Sequence, residues 1–144
     1  MATGSLEADI AFLDDPDRAK ADEVEAAIGE MSQFHTEYGV YAEGIHVSTA
    51  VLPDGWIDRV VRWDLQSSLP ADARFLEPHD LAIAKLAAFR QKDLDFVGAL
   101  VEAGLLDLGV LRERVAFMPP DTDSRAIERI NSWIDGTVGD KPSD

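Results

Sequence analysis

The feature that most constrains this chain is a change of hydrophobic period at Pro78. Beyond it, apolar residues recur every three or four positions, the spacing of a helix face. One run carries Leu81, Ala84 and Ala88, and a second carries Leu94, Val97, Val101 and Leu105, with Gly104 near its end. Asp107 can cap a short helix through Leu111 and Val115, which Met118-Pro119-Pro120 breaks. Thr122 or Asp123 can cap a last helix with Ile127, Ile130 and Ile134 on its buried side.

From Val40 to Pro78 the pattern differs: Gly44, Pro53, Asp54-Gly55 and Pro70 punctuate short runs rich in Val, Ile, Trp and Phe. That is the mark of strands joined by turns, expected near Ile45–Leu52, Val60–Leu65 and Arg74–Leu76. Near the start, Ala8–Leu13 reads as a strand. Asp15 then stands as N-cap and Pro16 as the first residue of a helix, with Val24, Ala27, Ile28 and Met31 on one stripe and an end between Phe34 and Tyr38. The fold class expected is α+β, with a small antiparallel or mixed sheet over residues 8–76, the helix over 17–36 and a helical C-terminal half. Residues 1–136 are expected to form one domain and 137–144 a flexible tail. Leu81, Leu94, Val97, Val101, Leu105, Ile28, Met31 and Trp56 are the expected core.

Composition narrows the function classes. The 144 residues include 46% hydrophobic and 28% charged residues, which suits a globular chain rather than a disordered one. No stretch approaches the roughly 20 apolar residues of a membrane span, and the N-terminus has neither the basic nor the apolar region of a secretory signal. The absence of cysteine excludes disulfides, thiolate metal sites and cysteine nucleophiles, and fits the cytoplasm. Thirteen basic residues against 28 acidic ones give a formal charge of −15, which disfavours general nucleic-acid binding. A small nucleotide held through a metal ion stays compatible with that field.

His35, His46 and His79 are scattered without a two-histidine metal spacing, so each reads as a surface or capping residue. Two arrangements carry more. In Ser5-Leu6-Glu7-Ala8-Asp9-Ile10 the two acidic residues stand two apart, so on a strand they share a face and could share a divalent cation, although such pairs are common in acidic chains. In the run from Phe75 to Asp93, Lys85 and Lys92 are seven apart and, with Arg90, form a basic cluster beside Asp93. Basic groups next to carboxylates suit nucleotide phosphates with a metal. A set of i,i+3 ion pairs with Asp93 and Asp95 on a solvated helix explains the same pattern.

Leu76-Glu77-Pro78-His79-Asp80-Leu81 with Lys85-Leu86, followed by Arg90-Gln91-Lys92-Asp93, resembles the second half of a bacterial family of nucleotidyltransferase-like proteins. That family is related to the nucleotidyltransferase toxins of the AbiEii type. Phe12-Leu13-Asp14-Asp15-Pro16 and Ala50-Val51-Leu52-Pro53-Asp54-Gly55-Trp56 are similar to other segments of the family, so the resemblance spans most of residues 5–117. It implies a small nucleotidyltransferase-like sheet, magnesium as cofactor where the protein is active, and a nucleoside triphosphate as ligand. It also implies a toxin–antitoxin or phage-defence setting.

Carried over residue by residue, the resemblance makes Glu7 and Asp9 the metal ligands, Lys85 and Asp93 the catalytic pair, and Arg90 and Lys92 the substrate contacts. A second register, Asp9-Ile10-Ala11, keeps Asp9 and puts Ala11 where the other carboxylate belongs. The family's third metal-binding carboxylate is not fixed by the pattern, and Asp64 is offered only as a guess. Its Gly-Gly-Ser segment has no counterpart in the six residues before Glu7, and Phe96 stands where the related toxins carry an aspartate three after Asp93. These departures imply a degenerate or truncated relative. The rival from another class is a non-catalytic interaction module that presents an apolar stripe to a protein partner or a second copy of itself. In the enzyme reading, Glu7, Asp9, Lys85, Arg90, Lys92 and Asp93 surround one concavity.

Overall fold

The computed structural model describes residues 6–62 and 72–139, and the chain divides into two compact units, Met1–Ala50 and Val51–Asp144. In the first, strand β1 (Glu7–Ala11) is followed by helices α1 (Ala19–Ile28) and α2 (Gln33–Tyr38), then strand β2 (Tyr41–Ile45) and a 3-10 turn at Val47–Thr49. β1 and β2 pair in parallel, with Glu7 opposite Tyr41, Asp9 opposite Glu43 and Ala11 opposite Ile45. Helix α1 packs closely on β2: a Cβ at Gly44 would lie 2.1 Å from the Ala21 carbonyl oxygen, so only glycine fits there.

Several expectations are corrected by local chemistry. The N-cap of α1 is Arg18, in a left-handed conformation (φ 63°), rather than Asp15. Asp15 nonetheless does the capping from a distance, accepting the N–H groups of Lys20 and Ala21 at 2.9 Å each. The single helix expected over residues 17–36 is split. Gly29 ends α1, Met31 turns through φ 66°, and the Ser32 side chain caps α2 by accepting the His35 N–H. The Met31 N–H is held by His35 Nδ1 at 3.0 Å, and the turn leaves the Met31 side chain 90% exposed rather than in the core. The strand expected over Ile45–Leu52 lies earlier, because His46 accepts the Ser48 N–H and the Thr49 hydroxyl donates back to the His46 carbonyl. Such bonds from side chains to nearby backbone compete with extended structure.

The second unit contains helix α3 (Trp56–Arg59), strands β3 (Val61–Arg62) and β4 (Arg74–Phe75), and helices α4 (Pro78–Ala88), α5 (Gln91–Glu102), α6 (Leu108–Ala116) and α7 (Ser124–Gly139). β3 and β4 form an antiparallel ladder of their own, so among the described residues the strands make two small sheets rather than one. The overall class is α+β. Asp107 caps α6 as expected, accepting the N–H groups of Gly109 and Val110, and Glu77, which the sequence reading did not single out as a cap, accepts those of His79 and Asp80. The Asp123 side chain likewise accepts the N–H of Arg125. Helix α7 runs to Gly139, into the segment expected as tail, and residues 140–144 lie outside the described residues.

The core of this unit joins Ile83 and Leu86 of α4, Val97 of α5, Leu111 and Val115 of α6, and Ile130 and Ile134 of α7. Leu94 and Val101 pack against it from the side. Leu105 is 61% exposed and Leu106 is buried in its stead, because α5 stops at Glu102 and Gly104 (φ 72°) re-aims the chain. On α4 the buried stripe is Asp80, Ile83 and Leu86, and the expected Ala88 is exposed.

Candidate functional site

In the first unit, alternation along β1 places Glu7, Asp9 and Ala11 on one face. The parallel register adds Tyr41 and Glu43 from β2 to that face. One carboxylate oxygen each of Glu7, Asp9 and Glu43 lie within 4.8 Å of one another. Oxygens on opposite sides of an octahedral magnesium ion stand about 4.2 Å apart, and across calcium about 5 Å. The three groups are therefore close enough together that a small inward movement of their side chains could place them around one divalent cation.

The electrostatics agree with that fit. Burial, and then the carboxylates of Glu7, Asp9, Glu25 and Glu30, push the Glu43 carboxyl above its ordinary range. The Tyr41 hydroxyl donates to Glu7 Oε2 at 3.2 Å, and burial together with the Glu7 charge raises the phenol. The Tyr41 ring rests on His35, their centroids 4.8 Å apart, which holds the phenol in place beside Glu7. Glu43 was not among the expected ligands. Its only sequence signal is an acidic residue in a short extended run between Gly39 and the 3-10 turn, and it becomes significant only through the register. Asp64 lies outside the described residues.

In the second unit, Lys85 and Lys92 do not share one continuous helix. Phe89 adopts a left-handed conformation (φ 56°) and separates α4 from α5. The break still brings Lys85, Arg90 and Asp93 together. Asp93, only 1% exposed, accepts from Arg90 Nε at 2.8 Å, Arg90 Nη2 at 3.3 Å and the Arg90 backbone N–H at 3.2 Å. Lys85 Nζ is 3.9 Å from Asp93 Oδ1, the oxygen that also accepts from Arg90 Nη2. Lys92 is exposed on the first turn of α5, and Asp95 accepts from Gln91 at 2.8 Å. Asp93 thus caps α5 and braces Arg90 as well as facing Lys85.

A second buried charge centre in this unit escaped the sequence reading. Asp80, fully buried, accepts from Arg59 Nε at 2.8 Å, Arg59 Nη2 at 3.0 Å and Arg114 Nη1 at 2.8 Å. Arg114 also donates to Glu77 at 2.9 Å. His79 Nε2 accepts the Asp107 N–H, so Nδ1 carries the proton and donates to Glu77 at 2.6 Å. Burial alone would raise the Glu77 carboxyl, but the His79 ring and the N–H groups of His79 and Asp80 hold it below its usual value. Asp80 also holds the Arg59 guanidinium above its ordinary range. Arg59 donates as well to the Asp54 carbonyl at 3.0 Å, tying that loop to α4. This network is a structural clamp on Pro78–Asp80, part of the segment that carries the family resemblance.

No curated protein and no solved structure matches the chain. One family model does, that of the nucleotidyltransferases of unknown function (DUF6036), over residues 13–134. The matched span contains Glu43 and the segment from Glu77 to Asp93, and begins just after β1. Covering most of the chain, the match makes this protein a member of the DUF6036 nucleotidyltransferase family.

Proposed function

We propose that the protein is a degenerate nucleotidyltransferase-like domain, related to the AbiEii-type toxins, that binds a divalent cation with a nucleoside triphosphate but transfers nucleotide poorly. The observation that carries the reading is the convergence of Glu7, Asp9 and Glu43 from two parallel strands. In phosphoryl-transfer chemistry a magnesium ion neutralises and orients triphosphate oxygens. The chain's own part is to hold three strand-borne carboxylates in register and to set Glu7 with the Tyr41 hydroxyl. Lys85, Arg90 and Lys92 are assigned as phosphate contacts in the second unit, with Asp93 positioning Arg90. Poor transfer follows from Phe96, which packs against the apolar core where the related toxins carry a further carboxylate. The biological setting proposed is a toxin–antitoxin or phage-defence system.

The test is thermal melting of the parent chain, Glu43→Gln and Lys85→Ala with calcium or magnesium, alone and with nucleoside triphosphates. Ligands that bind the folded state raise the melting temperature. Both cations should raise that of the parent, and Glu43→Gln should abolish the rise. The sign without metal is opposite. A carboxyl whose folded pKa is raised costs stability once pH climbs above its unfolded value, so Glu43→Gln without metal should melt higher than the parent at pH 7. A Glu43→Gln protein that responds to cations like the parent would sink the metal assignment. Lys85→Ala should remove only the extra rise given by nucleotide, and robust labelling of an acceptor by labelled triphosphate would refute the poor transfer.

A further inference from the structure

The first unit is short of core. Among its described residues the only buried apolar side chains are the two alanines Ala21 and Ala42. Meanwhile Leu6 is 66% exposed and Val40 38%. A two-stranded sheet is marginal without further cover, and no other described strand pairs with β1 or β2. Between the strands and helices α1 and α2 lies an open apolar hollow of about 260 Å³, walled chiefly by Leu6, Ile10, Ile28, Phe34 and Val40.

The neighbouring surface is acidic. A second hollow is lined by Asp22, Glu25, Glu30 and Glu43. The two hollows meet along the chain, since Ile28 and Ala42 line the first and the next residues, Gly29 and Glu43, line the second. Residues 1–50 carry eleven acidic side chains against two basic ones, Arg18 and Lys20. Both basic groups are engaged within the unit, Arg18 with Asp22, Glu25 and the Gly44 carbonyl and Lys20 with the Asp14 carbonyl. An apolar cavity beside an acidic rim that Arg18 neutralises only in part selects its occupant by charge. A nucleic acid or an acidic protein is repelled, and a purely apolar segment leaves the rim without a counterion.

We propose that this face of the first unit docks a short basic segment of a partner protein, whose one or two apolar side chains enter the hollow while its lysines or arginines meet Glu25, Glu30 and Glu43. The proposal shares Glu43 with the candidate cation site and otherwise uses the α1 flank and the apolar wall, so a cation held there competes with the segment and binding is measured in chelator.

The experiment uses the full chain in chelator and a fluorescent nine-residue peptide of alternating lysine and leucine, read by anisotropy at several salt concentrations. Two control peptides replace leucine by serine or lysine by glutamate. The double variant Glu25→Lys/Glu30→Lys tests the rim. Asp121→Lys/Glu128→Lys, on exposed positions of the second unit, controls for net charge. The expected result is about tenfold weaker binding, or more, for the rim variant and for the serine peptide, which corresponds to the loss of one or two modest contacts. The control variant should stay within about twofold of the parent, since it makes the same change of net charge and leaves every acidic group of the rim in place. Amide shifts on titration should fall at Ile10, Ile28 and Phe34. Equal loss in the control variant, or equal binding of the serine peptide, would show unspecific charge attraction and overturn the proposal. So would binding of the glutamate peptide, or sedimentation showing that the chain covers this face with a second copy of itself.

Discussion

Asp80→Ala tests the argument that a buried charge centre fixes the start of α4. In the parent, the fully buried carboxylate accepts three hydrogen bonds at 2.8–3.0 Å from Arg59 and Arg114. Breaking a buried ion pair by removing one partner typically costs 3–5 kcal/mol, because the other charge is left uncompensated. Two structural details place this case near 3 kcal/mol, the lower end of that range. Arg114 keeps its bond to Glu77 at 2.9 Å, and the Arg59 side chain is 27% exposed and can recruit water. For a domain of this size that loss lowers the melting temperature by roughly 10–20 °C. Urea melts read by tryptophan fluorescence and by circular dichroism give the free energy, with an unchanged m-value as the sign that the unfolded state is the same. Asp80→Asn, which keeps the shape and part of the hydrogen bonding, should fall between parent and alanine variant. If Asp80→Ala folds and loses less than about 1 kcal/mol, the centre is no clamp and the reasoning from burial fails.

Two further outcomes follow from unit-one geometry. Gly44→Ala forces a methyl group against the Ala21 carbonyl and should cost about 3 kcal/mol. By displacing β2 it should also weaken the cation-induced rise in melting temperature, and a variant as stable as the parent would refute the close approach. Asp15→Ala removes the acceptor for the first turn of α1. Burial raises the Asp15 carboxyl, but the N–H groups of Lys20 and Ala21 and the charges of Lys20 and Arg18 outweigh it and hold it below its usual 3.8. A depressed folded pKa means stabilisation that is complete above the unfolded value and vanishes as pH falls through the folded one. The melting difference between parent and Asp15→Ala should therefore be constant from pH 7 to about 5 and collapse below about pH 4. A difference that persists undiminished at pH 3 would exclude the carboxylate as the cap.

The sequence by itself determined what depends on residues close together in the chain. Asp107 and Asp123 announce helix starts because a cap needs only an acceptor two or three positions ahead of a free N–H. Gly39 and Gly104 mark ends because only glycine takes a left-handed turn cheaply. The acidic pair of β1 and the Lys85–Asp93 cluster were legible for the same reason, as spacings of two on a strand and of a few residues around a helix junction. Tertiary structure decided the rest. Asp80 is buried because arginines 21 and 34 residues away converge on it, and a hydropathy pattern assigns an aspartate to the surface. Glu43 joins Glu7 and Asp9 only through a parallel register, in which a slip of one residue would turn it to the opposite face. A local pattern carries spacing along the chain, whereas the pairing of distant segments is chosen by the summed packing of the fold, and that sum is written in no short stretch of sequence.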